Sequence, residues 1–70
     1  MKLSARNCLK GTIKKIVAGA VNSEIFLELP GGVTITSIVT KDAVEALNLK
    51  EGKEAYAVIK ASNVMLAVDH

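Results

Sequence analysis

The sequence predicts an all-β fold, a five-stranded barrel with one short helix between strands 3 and 4, occupying residues 1–70 as a single domain. Three observations predict it. Apolar and polar residues alternate with period two over most of the chain, the pattern of strands with one face in a core and one in water. Half of the residues are apolar, and they are almost all aliphatic, with Phe26 and Tyr56 the only aromatics. A single stretch, after Thr40, has helical spacing.

Residues 11 to 18 read as the first strand, and Gly19 falls where its alternation breaks, as at a bulge or a sharp bend. In residues 23 to 29, Ile25, Leu27 and Leu29 share one face while Glu24, Phe26 and Glu28 take the other. Pro30-Gly31-Gly32 then turns the chain, proline fixing φ and glycine accepting positive φ, so that residues 33 to 40 return as the second arm of a hairpin. In that arm Val33, Ile35 and Val39 are expected to face the core and Thr34, Thr36 and Thr40 to alternate with them. Thr40 suits a helix N-cap, Asp42 suits the positive end, Val44 and Leu47 lie three apart, and Asn48 marks the exit of a two-turn helix. A polar turn at 49 to 53 leads to a strand over 54 to 60, in which Ala55, Ala57 and Ile59 alternate with Tyr56, Val58 and Lys60. Residues 61 to 63 join it to a fifth strand over 64 to 68, carried by Val64, Leu66 and Val68. This order of elements is that of an OB-like barrel; an open dimer of swapped hairpins would give similar alternation.

Composition excludes several classes. No apolar run approaches the roughly 18 to 20 residues of a membrane span, and Arg6 stands where a signal peptide would carry its apolar stretch, so a cytoplasmic chain with a reduced Cys8 is expected. A single cysteine and a single histidine, Cys8 and His70, provide neither an internal disulfide nor a protein-made metal site. A chain this short leaves wet on the order of 40% of the surface its unfolded form exposes, and with disulfide and metal absent, oligomerisation is the remaining route to burial. Cys8 has no histidine partner, Glu24 and Glu28 lie on one polar strand face, and Gly31-Gly32 opens no helix, so neither an enzyme nor a phosphate-cradling loop is expected.

Two polar clusters carry the remaining chemistry. Ser4-Ala5-Arg6-Asn7 precedes the first strand, and Lys60-Ala61-Ser62-Asn63 lies between the last two. Each combines a cation, a hydroxyl and loop amides beside a small residue that lets the backbone come close. A tetrahedral dianion accepts hydrogen bonds on all its oxygens and wants donors of these kinds. Taken singly, either tetrapeptide also reads as an ordinary surface turn.

The run Ser4-Ala5-Arg6-Asn7-x-Leu9-x-Gly11, then Ile16, Gly19, Val21, Glu24 and Ile25, then Gly32, Ile35, Ile38 and Thr40, then Leu47, Leu49 and Gly52, and finally Ile59-Lys60-Ala61-Ser62-x-Val64-Met65-Leu66 closely resembles the Mop domain in its stand-alone, molbindin form. The match spans residues 3 to 68 and includes both polar clusters. The resemblance implies an OB-like fold, a homo-hexamer built as a trimer of dimers, and molybdate or tungstate bound between subunits as ligand, with no catalytic cofactor and no direct protein–metal bond. Residue by residue it implies an intersubunit oxyanion site of Ser4, Arg6, Thr40, Lys60, Ala61 and Ser62. Lys60 would supply charge there, Ser4, Thr40 and Ser62 hydroxyls, and the backbone near Arg6 and Ala61 amides. It also implies a second oxyanion site near a three-fold axis, for which Val21-Asn22-Ser23 is the candidate turn. Many members carry Ser three residues after the threonine, where this chain has Ala43; either the site is one donor poorer or that Ser serves only the helix N-terminus.

The expected function is therefore intracellular storage or buffering of molybdate or tungstate. The rival is a nucleic-acid-binding OB module, for which two aromatics and a net charge of +2 are a thin endowment.

Overall fold

The computed structural model describes residues 1–69; His70, the only histidine, lies outside the described residues. The elements are β1 (Asn7–Ala18), β2 (Asn22–Glu28), β3 (Thr34–Thr40), α1 (Lys41–Ala46) and β4 (Glu54–Ile59), followed by a 3-10 turn at Ala61–Asn63. The four strands form one antiparallel sheet in the order β3-β2-β1-β4. It curls into a half-barrel, so the all-β class with one short helix after the third strand stands.

β1 organises the sheet because it pairs on both sides. Its first half runs from Asn7 opposite Ile59 to Thr12 opposite Glu54, and its second half from Thr12 opposite Glu28 to Ala18 opposite Ser23. It therefore begins four residues before the strand read from alternation. The bulge is not at Gly19. It lies between Ile13 and Lys15, where Lys14 is the extra residue and the register with β2 shifts. That extra residue lets Ile13 and Ile16, three apart in sequence, serve the same core, and it adds the local twist that curls a sheet. Gly19 makes the sharp bend instead, its N–H donating to the Asn22 carbonyl at 2.9 Å.

The β2–β3 hairpin follows its sequence closely. Gly31 and Gly32 have φ of 92° and 89°, a region that L side chains avoid, and Leu29 donates to the Val33 carbonyl at 2.7 Å to close the loop. Val33 departs from expectation: it sits in the loop ahead of β3 and is 60% exposed, while Ile35 and Val39 do pack against the core. Thr40 caps α1 as read, its Oγ1 accepting from the Ala43 N–H at 3.0 Å.

The expected fifth strand does not form. Residues 64 to 69 carry no strand pairing, and Met65, Leu66 and Val68 are 93%, 92% and 84% exposed. Alternation identifies a segment fit to be a strand, but a strand exists only against a hydrogen-bonding neighbour, and within one chain this segment reaches neither open edge of the sheet. The barrel is accordingly open. Its buried apolar core is Ile13, Ile25 and Leu27, and the concave face beyond them is a groove of about 630 Å³, walled by residues such as Ile35, Val39, Leu49 and Ala57.

Candidate functional site

The β1–β4 ladder ends at Asn7 opposite Ile59. Because the two strands are antiparallel, the residues just before β1 and just after β4 leave the sheet side by side at the same end. Ser4, Ala5 and Arg6 thus meet Lys60, Ala61 and Ser62, although more than fifty residues separate them in sequence, and with Val58 and Asn63 they line one open cleft of about 670 Å³. The β1–β4 register brings the two polar clusters together.

The lining suits an anion. It holds one guanidinium, one ammonium, two hydroxyls and no carboxylate. Among the described residues the ion pairs are Lys10 with Glu54 and Lys14 with Glu28, so neither Arg6 nor Lys60 is neutralised by a carboxylate. The 3-10 turn adds backbone donors. Asn63 donates to the Lys60 carbonyl at 2.9 Å and Val64 to the Ala61 carbonyl at 3.2 Å, while the N–H groups of Ala61 and Ser62, at the start of the turn, have no carbonyl within it to meet. Asn63, the last residue of the second polar cluster, is held in this lining by the turn, while Val58, whose type gave no signal in sequence, joins it by facing the same side of β4 as Lys60.

Thr40 is not in this cleft. It pairs with Asn22 at the start of β2, and Lys41 donates to the Val21 carbonyl at 2.9 Å, so Thr40 stands beside Val21-Asn22-Ser23 near the Ala18 end of β1. The cleft is at the Asn7 end. β1 is twelve residues long, which at about 3.3 Å per residue separates its ends by roughly 35 Å along the strand. Of the second group, Val21 and Asn22 are exposed and Ser23 is buried. Ala43 lies in the first turn of α1, with its N–H already engaged by Thr40.

Residues 3–66 match the TOBE domain. The chain is 49% identical over 69 residues to a probable molybdenum-pterin-binding protein of Haemophilus influenzae, covering 99% of this chain and all of the relative. It is 48% identical to molybdenum-pterin-binding protein 1 of Clostridium pasteurianum, covering 94% of this chain and 97% of that one. Among solved structures, MopII of Clostridium pasteurianum superposes with a TM-score of 0.91 at 46% identity, covering 96% of this chain and all of MopII. The cytoplasmic molybdate-binding protein ModG, crystallised with molybdate bound, gives a TM-score of 0.90 at 62% identity, with 93% of this chain matching 46% of the ModG chain. The half-barrel, the two polar clusters and these likenesses over nearly the whole length agree: the chain belongs to the TOBE-domain family and, within it, to the Mop proteins.

Proposed function

We propose that the chain is a non-enzymatic binding protein that holds molybdate, or tungstate, as the intact tetrahedral oxyanion at interfaces of a homo-oligomer, and so stores or buffers it in the cytoplasm. The observation that carries this is the cleft in which Ser4, Arg6, Lys60 and Ser62 converge with no carboxylate among its lining residues. Such a set is rich in donors, carries two cations and lacks any carboxylate, which suits a fully deprotonated oxyanion; the proton of a hydrogen phosphate would meet only the neutral oxygens of Ser4, Ser62 and Asn63. The names of the relatives, and ModG with molybdate bound, favour molybdate within that class.

The separation of Thr40 from the cleft supports an intersubunit site. A hydroxyl at one end of β1 cannot serve an ion at the other end of the same chain, so if Thr40 contributes, it does so from a second copy. The apolar segment at 64 to 68 argues the same way. It is exposed in the single chain while the sheet keeps two open edges and an apolar groove, and a second copy would cover both. The assembly is taken to be the hexamer, a trimer of dimers, that the family resemblance implies. Val21-Asn22-Ser23, grouped with Thr40, is the proposed second oxyanion site.

Equilibrium dialysis of the full chain against molybdate, with sulfate at the same ionic strength as reference and sedimentation velocity run alongside, tests the reading. Saturable uptake of molybdate by an oligomer is expected. Uptake that never saturates, or a monodisperse monomer at micromolar concentration, would overturn it.

A further inference from the structure

We propose that Asn7 is a positioning residue for the cleft: its side-chain amide locks the two cleft-forming segments in register and thereby sets how sharply the site distinguishes a large oxyanion from a small one. The role rests on the proposed function of that cleft. Asn7 Nδ2 donates to the Ile59 carbonyl at 3.3 Å, across 52 residues of sequence and in a half-buried setting. A carbonyl oxygen can only accept, so the amide must present its nitrogen. The other side-chain hydrogen bonds among the described residues are local, Thr40 with the Ala43 N–H and Lys53 with the carbonyls of Leu47 and Asn48. Apart from the exposed ion pairs Lys10–Glu54 and Lys14–Glu28, Asn7 makes the one side-chain tie between distant segments among the described residues, and it stands at the cleft end of the β1–β4 ladder.

Its location gives the bond leverage. Asn7 and Ile59 are the last ladder pair, beyond which Ser4–Arg6 and Lys60–Ser62 have no strand pairing to hold them. The Ile59 carbonyl and the Lys60 N–H belong to one planar peptide group, so anchoring the oxygen fixes the plane from which Lys60 and the 3-10 turn depart. On the other side, Asn7 is joined by a single peptide bond to Arg6. One hydrogen bond therefore references the Arg6 backbone to the Lys60 backbone.

An oxyanion spanning the cleft draws donors from both segments, and donors held at a fixed separation favour the ion whose oxygens match that spacing. Releasing the tie lets the segments drift, so a larger ion loses matched donors while a smaller one gains room to be followed. Selectivity should fall as well as affinity.

The test is titration of wild type and Asn7→Ala, full chain, with molybdate and with sulfate, well below the thermal midpoint of each. We expect Asn7→Ala to bind molybdate about three- to tenfold more weakly, the loss of one neutral hydrogen bond, with sulfate changed less than half as much on a logarithmic scale. Amide hydrogen exchange at Lys60, Ala61 and Ser62 should quicken while that in β2 and β3 does not. If Asn7→Ala does not fold, Asn7→Ser, whose short hydroxyl falls shy of the Ile59 oxygen, is measured in the same way. Molybdate affinity within twofold of wild type, or equal losses for the two anions, would overturn the positioning role while leaving the site intact. No molybdate binding by wild type itself would overturn the reading of the cleft and this role with it.

Discussion

The Lys53 ammonium donates to the Leu47 carbonyl at 2.7 Å and to the Asn48 carbonyl at 3.0 Å, closing the C-terminal end of α1 from the turn that follows it. α1 has no basic residue in its last turn, and its final carbonyls point toward a chain that leaves through Asn48 at a φ of 52°. A cation from outside the helix satisfies them and lies at the negative end of the helix dipole. The Lys53 backbone is tied in as well, its carbonyl accepting from the Ile13 N–H at 2.9 Å. One residue thus joins helix, core strand and β4.

Lys53→Met should therefore destabilise the chain by up to about 1.5 to 3 kcal/mol, the range for hydrogen bonds to a charged group, with the exposure of these two bonds favouring the low end. Each kcal/mol lowers the midpoint of a domain this size by roughly 4–8 °C. Thermal melts followed by circular dichroism would register it, and a midpoint unchanged from wild type would show that the carbonyls are equally well served by water.

Gly11→Ala should be costly for a different reason. A Cβ there would stand 2.6 Å from the Glu28 carbonyl oxygen and 2.9 Å from Leu27 Cγ, with β2 backbone unable to yield without parting from β1. Overpacking of this kind costs typically about 1–3 kcal/mol, and chemical denaturation would show a lowered midpoint.

Much of this architecture is legible in the sequence wherever the signal is local. The β2 alternation, the Pro30-Gly31-Gly32 turn and the Thr40 cap each depend on neighbours within four or five residues, and each forms as read. What fails depends on partners far along the chain. The first half of β1 is a strand because β4 lies beside it, and Cys8-Leu9-Lys10 gives no alternation that would announce this. The Lys14 bulge left a trace, the spacing of three between Ile13 and Ile16 around two lysines, which strict period two cannot accommodate. The fifth strand fails because extended propensity does not specify a partner. The cleft was legible as two donor-rich tetrapeptides, but their meeting is a consequence of the Asn7–Ile59 register, and the distance of Thr40 from them appears only in three dimensions.

Lys60→Ala should weaken molybdate binding about tenfold to a hundredfold, the equivalent of one charge-assisted hydrogen bond of roughly 1.5 to 3 kcal/mol. Lys50→Ala and Lys14→Ala remove the same formal charge from exposed positions outside the cleft, Lys14 lying 3.8 Å from Glu28. Titration of the three variants separates a defined pocket from diffuse attraction, which would lower all three affinities alike.

Leu66→Asp should dissolve the assembly without unfolding the chain. Leu66 is 92% exposed in the single chain, so a carboxylate there disturbs no intrachain packing. Against the apolar groove of a second copy it would have to be desolvated without a partner, which costs several kcal/mol. Sedimentation should show smaller species with strand content retained, and molybdate affinity should fall with them if Thr40 must come from another copy. An oligomer unchanged in mass would place the interface elsewhere.

Molybdate should raise the thermal midpoint of the oligomer and sulfate should raise it much less. A ligand held by the folded assembly, with no site in the unfolded chain, stabilises the folded state by mass action; at about 100 times the dissociation constant each site contributes roughly 2.7 kcal/mol. Sulfate has the same charge and shape with shorter bonds to oxygen. On the proposed reading, donors from Ser4–Arg6 on one side and Lys60–Ser62 on the other, spaced for the larger ion, would not all reach the smaller one. Each donor that assembly buries and the smaller ion leaves without a partner would cost about 1 to 3 kcal/mol. Scans at matched ionic strength isolate this effect from screening, which acts on Arg6 and Lys60 equally for either dianion. Equal shifts with both anions would mean that the cations are merely screened, and no shift with molybdate would sink the storage reading.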